Sequence, residues 1–261
     1  MKPNHVKRKL QTGGMSIGTF AFEFNTSGIG RLAAGAGADF IVYDMEHSGW
    51  SLETIRLLVA TTPAERCVPM VRVPATQYHF VARALDVGAM GVMAPMVESA
   101  EQAATLAAAA KYPPVGRRGA AFAIAHDDYQ GGDIVDKMRS ADAEGLLIAQ
   151  IETEAGVRNV EAIAATEGID VLWIGHFDLS ISLGIPGEFN APRFQEAVAR
   201  VLQACDKHGK IPAMMTADIS TGQALLHQGF RMLAFGGDLW LYQTALRQGI
   251  AELAQGRIGR T

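Results

Sequence analysis

The feature of this chain that most constrains its fold is the alternation of eight short apolar runs with segments of helical pattern. Most of the runs are apolar at nearly every position and do not alternate apolar with polar residues. Strands of this kind are typical of a parallel sheet that is covered on both faces. The predicted strands are Ser16–Phe22, Phe40–Asp44, Pro69–Val73, Gly91–Pro95, Leu146–Ile151, Val171–Gly175, Ile211–Met215 and Met232–Phe235.

Helical patterns rich in Ala, Leu and Glu separate these runs, and Gly or Asp residues end several of them. They include Leu52–Ala60, His79–Val87, Ala100–Ala110, Gly156–Ala165, Ala191–His208, Gly222–Gln228 and Leu239–Ala254. Eight strands alternating with helices over 261 residues predict an α/β fold, a closed (β/α)8 barrel. A doubly wound open sheet is the alternative. We expect one domain, residues 1–261.

Two segments depart from the alternation. Residues 1–13 contain the basic cluster Lys7-Arg8-Lys9, which no apolar signal-peptide core follows, so we expect a solvated N-terminal arm. Residues 111–132 are irregular, with Tyr112-Pro113-Pro114 and two glycine pairs or near-pairs. Because this insertion follows the fourth strand, we expect it on the catalytic face of the barrel, as a lid or a subunit interface.

The composition narrows the class of partner. The formal net charge of −4 gives no electrostatic footprint for nucleic acid or for an acidic membrane. No apolar run approaches the roughly 18 residues that a membrane helix needs, so we expect a cytoplasmic protein. The two cysteines, Cys67 and Cys205, lie far apart in sequence and fit no metal-binding spacing, which indicates reduced thiols.

Polar and charged side chains collect where the predicted strands end. In (β/α)8 barrels the active site lies at the carboxyl ends of the strands. Acidic, basic and amide side chains of this chain are therefore expected at one rim. In chain order they are Asp44, Glu46, His47, Arg72, Gln150, Glu152 and Asp178.

Two of these carboxylates, Glu152 and Asp178, follow neighbouring strands and can converge on one divalent cation. Taken singly, Glu152 would serve as an acid near a helix N-terminus, and Asp178 as a helix cap. Taken together, their positions favour metal ligation. Two protein ligands leave coordination positions open, which fits Mg²⁺, Mn²⁺ or Co²⁺. Open positions suit a 2-oxo acid, whose enolate the cation stabilises.

The remaining candidates are a base and a cation. His47 is either a satisfied loop histidine or a general base. Arg72 lies inside an apolar strand, where a buried guanidinium requires an anionic partner, either Asp44 or a ligand carboxylate. None of the lysines lies near the carboxyl end of a predicted strand, which argues against a Schiff-base aldolase.

These residues resemble those of the HpcH/HpaI family of metal-dependent, class II pyruvate aldolases. The resemblance extends from about Gly14 to Tyr242. The segments that carry it are Asp44-x-Glu46-His47, Val71-Arg72-Val73-Pro74, Asp86-Val87-Gly88-Ala89, Ala94-Pro95-Met96-Val97, Tyr112-Pro113-Pro114, Arg118-Gly119, Gln150-Ile151-Glu152 and Asp178-Leu179-Ser180.

The resemblance implies a barrel whose last helix packs on a neighbouring subunit, within a homohexamer built as a dimer of trimers. It also implies metal ligation by Glu152 and Asp178. His47 corresponds to the family's general base, and Arg72 to the arginine that stabilises the enolate.

The same resemblance assigns supporting roles. An aspartate, Asp86 or Asp44, is expected to raise the basicity of the histidine. The residues expected to contact the substrate are Gln150, Gly175, His176, Phe177 and Met215. The family commonly has Gly-Pro-Ala-Asp where this chain has Gly-His-Phe-Asp. The altered donor wall makes hydroxypyruvate a competitor of pyruvate.

We therefore predict a lyase that reversibly cleaves 4-hydroxy-2-oxo acids to pyruvate, or hydroxypyruvate, and an aldehyde. In cleavage, His47 takes the proton of the C4 hydroxyl, either directly or through a metal-bound water. One alternative is a CoA-ester lyase of the citrate lyase β-subunit type. Such an enzyme needs a basic surface for the phosphates of CoA, and the only candidate in this sequence is Arg117-Arg118. The other is a non-catalytic metal-binding barrel, which has no use for a base beside the metal.

Overall fold

The predicted strands close into one parallel barrel in the computed structural model of the protein, which describes residues 2–256. Each strand pairs with its neighbours in chain order, and the eighth returns to the first. The strands are β1 (Ser16–Ala21), β2 (Phe40–Asp44), β3 (Val68–Arg72), β4 (Gly91–Ala94), β5 (Leu146–Ile151), β6 (Val171–Ile174), β7 (Ile211–Thr216) and β8 (Met232–Gly237). The (β/α)8 prediction is confirmed.

Helices surround the barrel and follow the strands in turn. They are α1 (His5–Gln11), α2 (Ile29–Gly35), α3 (Leu52–Thr61), α4 (Tyr78–Asp86), α5 (Ala100–Ala110), α6 (Ile134–Glu144), α7 (Glu154–Arg158), α8 (Val160–Ala165), α9 (His176–Ser182), α10 (Pro192–His208), α11 (Ile219–His227) and α12 (Asp238–Gly256). The single helix predicted over Gly156–Ala165 is two helices, because the chain leaves the helical conformation at Asn159.

The N-terminal segment closes the amino-terminal end of the barrel, so the prediction of a solvated arm is wrong. Val6 and Leu10 of α1 are fully buried against the apolar interior of the barrel. The Lys7 ammonium is buried as well, where it donates to the carbonyl of Gly145 at 2.6 Å and pairs with Asp170 at 3.2 Å. Pairing a buried lysine with a carboxylate offsets the cost of removing both charges from water.

The insertion at residues 111–132 lies away from the catalytic rim, which contradicts the expected position. It follows α5 and precedes β5, so it begins where a helix has already returned the chain to the amino-terminal side. Ala125 and Tyr129 lie beside Pro69 and Met90, at the amino-terminal ends of β3 and β4. A role in closing over the substrate is therefore unsupported, while the interface role stays a prediction.

Two expectations drawn from composition concern the thiols and the membrane. Cys67 and Cys205 are both buried and free. Burial raises the pKa of each thiol to about 12, so both stay protonated and unreactive at neutral pH. From residue 2 to residue 256, no helix combines the length and the apolar character needed to cross a bilayer.

Candidate functional site

The Asp44 carboxylate, at the end of β2, is fully buried and organises one side of the site. Asp44 lies opposite Arg72 in the parallel register of β2 and β3. Its Oδ1 accepts a hydrogen bond from Arg72 Nε at 2.5 Å, and its Oδ2 accepts one from the backbone N–H of His47 at 2.8 Å. Asp44 is thus the anionic partner that the buried guanidinium requires.

Glu46 is a further acidic group of this side, which the sequence placed at the rim without assigning it a role. Its Oε2 lies 3.2 Å from Arg72 Nη1 and 3.7 Å from His47 Nε2. Burial raises the pKa of Glu46 to about 7, opposed by Arg72 and reinforced by the charges of Asp44 and Asp178. Glu46 is therefore close to half-protonated at neutral pH.

Glu152 occupies the opposite side of the rim, directly after β5. Its Oε1 accepts a hydrogen bond from the backbone N–H of Met96 at 2.6 Å, and its Oε2 accepts one from the Gln150 amide. Burial raises the pKa of Glu152 to about 7, and the charges of Glu46 and Asp178 add to the shift. Glu46, Glu152 and Asp178 thus repel one another electrostatically across one small region.

Two backbone features fix the orientation of Glu152. Met96 adopts a left-handed backbone conformation, with φ of 53°, which residues other than glycine rarely take. This conformation presents the Met96 N–H to the carboxylate. On the other side lies Gly175, where an added Cβ would collide with Glu152 Oε2 and approach Gln150 Nε2 to 2.9 Å. Only glycine leaves the carboxylate its present place.

Helix α9 begins immediately after β6 and brings Asp178 to the rim. The His-Phe pair that precedes Asp178 joins an aromatic cluster, in which Phe189 lies 5.2 Å from the His176 ring and 5.5 Å from the Phe177 ring. Burial lowers the pKa of His176 to about 4, against the opposing charge of Asp178. His176 is therefore neutral at physiological pH, and its uncharged ring forms part of the cavity lining.

A cavity of about 390 Å³ opens at this rim of the barrel. It is lined by these predicted site residues: His47, Arg72, Gln150, Gly175, His176, Phe177, Asp178 and Met215. Asp44 and Glu152 stand directly behind the lining, in contact with Arg72 and Gln150. No lysine is among the described residues that line it, which agrees with the argument against a Schiff base.

Asp86 is the predicted site residue that the chain does not bring to this cavity. It ends α4, and its carboxylate accepts a hydrogen bond from the buried Arg118 at 2.7 Å. Asp44 contacts His47 through the backbone N–H and not through the imidazole. Within residues 2–256, neither aspartate is therefore hydrogen-bonded to the imidazole. The carboxylate nearest that ring is Glu46.

The donor set fits a divalent cation that still has open coordination positions. Within the described part of the chain, no three His, Cys, Asp or Glu side chains stand ready as a complete metal cage. The buried Gln150 Oε1 has no hydrogen-bond partner there, and the buried Glu46 Oε2 accepts no hydrogen bond but lies 3.2 Å from the charged Arg72 Nη1. Buried, mutually repelling carboxylates and unpartnered oxygens are the hard ligands that Mg²⁺ and Mn²⁺ prefer.

Comparison with known proteins identifies the family. The model of the HpcH/HpaI aldolase/citrate lyase family matches residues 17–245. The chain belongs to this family. It is 33% identical over 236 residues to the hydroxypyruvate/pyruvate aldolase of Roseobacter denitrificans, which covers 90% of this chain and 91% of that protein. It is 32% identical over 246 residues to the 5-keto-4-deoxy-D-glucarate aldolase of Klebsiella pneumoniae, covering 94% and 95%.

Among solved structures, the HpcH/HpaI aldolase from Desulfitobacterium hafniense superposes on this chain with a TM-score of 0.91 at 31% identity. That match covers 95% of this chain and 96% of the other. As a member of the HpcH/HpaI family with aldolases for relatives, the protein is an enzyme, a carbon–carbon lyase.

Two residues to which the sequence assigned no role, Glu46 and Met96, also shape this aldolase site. Glu46 lies within the Asp44-x-Glu46-His47 segment, so a short loop joining two candidates was the available signal. The left-handed backbone of Met96 leaves no trace in the sequence, because methionine gives no hint of positive φ.

Proposed function

We propose that this aldolase reversibly cleaves 4-hydroxy-2-oxo acids to pyruvate, or hydroxypyruvate, and an aldehyde, with the help of a divalent cation. The observation that carries the proposal is the grouping of a paired arginine, a rim histidine and three carboxylates around one cavity. The residues are Arg72, His47, Glu46, Glu152 and Asp178.

Glu152 and Asp178 would hold the cation, and Gln150 would contact the 2-oxo acid beside it. When bound, the cation supplies Lewis acidity toward the oxygens of the 2-oxo acid. Gln150 donates to Glu152 through its Nε2, which leaves its buried Oε1 directed elsewhere. The amide thereby fixes the orientation of the carboxylate as a neighbouring hydrogen bond does in metal sites.

Arg72 stabilises the charge that develops during cleavage. As the C3–C4 bond breaks, its electron pair moves into the 2-oxo acid fragment, and negative charge gathers on the C2 oxygen. The Arg72 guanidinium is held rigidly by Asp44 at 2.5 Å and by Glu46 at 3.2 Å. A preorganised cation needs no reorganisation when the charge appears, so it lowers the barrier.

His47 moves the proton at the C4 hydroxyl. Its side chain is 55% exposed at the cavity mouth, and its backbone N–H is anchored to Asp44. Loss of the hydroxyl proton to His47 leaves C4 as the aldehyde carbonyl, and a proton added at C3 completes pyruvate. The carboxyl group of Glu46 lies beside the ring, with Oε2 3.7 Å from His47 Nε2.

The rival CoA-ester lyase loses its basic surface. Arg118 is buried and paired with Asp86, away from the cavity, and Arg117 lies over the ring of Tyr78. Neither arginine lines the cavity within residues 2–256. Phosphate recognition requires accessible cations, so the geometry favours the 2-oxo acid aldolase.

The test measures exchange of the C3 hydrogens of pyruvate with D₂O, with added Mg²⁺, Mn²⁺ or Co²⁺ and with chelator. Glu152→Gln and Asp178→Asn are expected to lower the exchange rate by about a hundredfold or more, because each removes a cation ligand. Glu154→Gln is the matched control, since Glu154 is half-exposed and its carboxylate pairs with Arg193 at 3.0 Å rather than with a residue of the cavity lining.

Exchange that persists in chelator, or in Glu152→Gln, contradicts the proposal. Cleavage of malyl-CoA or citramalyl-CoA in preference to 4-hydroxy-2-oxo acids would favour the rival enzyme. Circular dichroism of each variant establishes that the fold is kept.

A further inference from the structure

Four aromatic side chains that line the cavity, Phe20, Phe22, Trp173 and Trp240, contact one another and form an aromatic wall. Phe20 stacks on Phe22 with ring centroids 5.4 Å apart, and Trp173 meets the edge of Phe20 at 5.6 Å. Trp240 meets Phe22 at 5.0 Å. Phe20 and Trp173 are buried on the floor, whereas Trp240 and Phe177 are exposed at the mouth.

This wall begins at the reacting end of the cavity. The Arg72 guanidinium carbon lies 5.4 Å from the centre of the Phe20 ring and 5.8 Å from that of Phe22. The cavity volume of about 390 Å³ falls in the range of small-molecule sites and exceeds the need of a three-carbon acid. The space along the wall is therefore available to the aldehyde half of the substrate.

The loop that carries Phe22 is held in place before any substrate binds. The Asp238 carboxylate accepts hydrogen bonds from three successive backbone N–H groups, those of Phe22 at 3.0 Å, Glu23 at 3.0 Å and Phe24 at 2.7 Å. Gly237 lets the rings meet, because a Cβ there would approach both Phe22 and Trp240 to 2.9 Å. The wall is thus preorganised, which reduces the entropy lost on binding.

The charges around the cavity disfavour an anionic aldehyde. Arg72 is the one lysine or arginine among the described residues of the lining, and Asp44 and Glu46 already pair with it. Glu23 and Asp178 add carboxylates to the same lining. A carboxylate at the far end of an aldehyde would lose hydration along the aromatic wall without meeting a lysine or a further arginine of the described lining, which is costly.

We propose that the aldehyde half of the substrate is uncharged and aromatic, and that the aromatic wall, together with Phe177 at the mouth of the cavity, selects it. This inference rests on the proposed aldolase function. Stacking and edge contacts with such rings favour a flat apolar group beyond the area that it buries.

The test compares benzaldehyde with 4-carboxybenzaldehyde as partners of pyruvate in aldol addition. The two differ only in a remote carboxylate. We expect kcat/KM to be about tenfold or more higher for benzaldehyde, since an unpaired carboxylate is poorly tolerated in the cavity. Pyruvate C3 exchange in D₂O is measured in parallel, because it reports the enolate chemistry without any aldehyde.

A variant with a positive charge at the mouth of the cavity provides a second test. Phe177→Arg adds a cation at the mouth, where Phe177 is 55% exposed, and is expected to reduce the preference by about fivefold or more. Ile181→Arg is the matched control, because Ile181 lies one helical turn further along α9, is 62% exposed and is not part of the lining.

Each outcome separates the two proposals. Exchange with equal or reversed preference in the wild-type enzyme overturns the aldehyde assignment alone. Absence of exchange overturns the aldolase function and the assignment with it. A preference for benzaldehyde that Phe177→Arg reduces and Ile181→Arg leaves unchanged supports both.

Discussion

At the scale of single residues, Asp44 joins stability to function. One buried carboxylate neutralises Arg72 and holds the main chain of His47 and Glu46 through their N–H groups, at 2.8 and 3.3 Å. The base and its neighbouring acid are therefore positioned by the same group that makes the arginine tolerable inside the barrel. Asp44 acts through other residues and is a positioning residue.

Replacing Asp44 tests this dependence. Asp44→Ala removes the fully buried partner of Arg72 and leaves the guanidinium only its contact with Glu46 at 3.2 Å, so the free energy of unfolding should fall by about 3 kcal/mol. Urea unfolding measures the change. In the double variant Asp44→Ala/Arg72→Leu the buried guanidinium is gone, and most of the loss should be recovered. A double variant no more stable than Asp44→Ala would contradict the account.

The raised pKa values of Glu46 and Glu152 predict a pH-dependent stability. Both lie near 7 in the folded protein against an ordinary value of 4.5, so the folded state binds more protons than the unfolded state between these values. The metal-free protein should therefore lose stability as pH rises through this window. The melting temperature between pH 5 and 8 measures the effect.

Added Mn²⁺ should oppose the same trend, because a cation replaces the protons on the carboxylates. The rise in melting temperature with Mn²⁺ should be large at pH 8 and small at pH 5.5. Glu152→Gln should abolish it. A rise that is equal at both pH values would contradict the expectation.

At the scale of secondary-structure elements, the sequence predicted the strands well because each is a nearly uninterrupted apolar run. The strands Phe40–Asp44 and Leu146–Ile151 coincide with β2 and β5. Helix α1 was missed because its buried side presents only Val6 and Leu10, and because Lys7 is buried through a partner 163 residues away. Such long-range pairing has no local signature.

The candidate site was predictable to the same extent. Strand ends share one rim of a barrel, so His47, Arg72, Gln150 and Asp178 were expected together and do line one cavity. The insertion was misplaced because a helix, α5, intervenes between β4 and residue 111 and reverses the direction of the chain. The aromatic wall depends on α12 meeting the loop after β1, a contact between the two ends of the chain.

At the scale of the whole molecule, α12 departs from the barrel that it follows. Beyond its first turns the helix is exposed, including Leu246, Ile250 and Leu253. An apolar groove outside β1 and α2, lined by Ile17 and Leu32 among others, is uncovered. An apolar helix face beside an apolar groove is the arrangement expected when copies of a chain exchange helices.

We expect the protein to assemble through α12, as the family resemblance implies. Light scattering after size exclusion should give a mass several times the 27.9 kDa of one chain. The double variant Leu246→Asp/Leu253→Asp should shift the protein toward the monomer, since it places charge on the apolar face. Gln248→Asp is the control of equal charge type on the same helix. A wild-type monomer would contradict the expectation.

The position of α1 at the amino-terminal end of the barrel affects how substrates enter and products leave. Val6 and Leu10 close the amino-terminal end of the barrel, and the cavity opens at the opposite, carboxyl-terminal rim. In the proposed reaction the keto acid lies deepest in the cavity, beside Gln150 and Arg72, and the aldehyde lies between it and the mouth. The proposed cleavage should therefore release its products in order, the aldehyde before the keto acid.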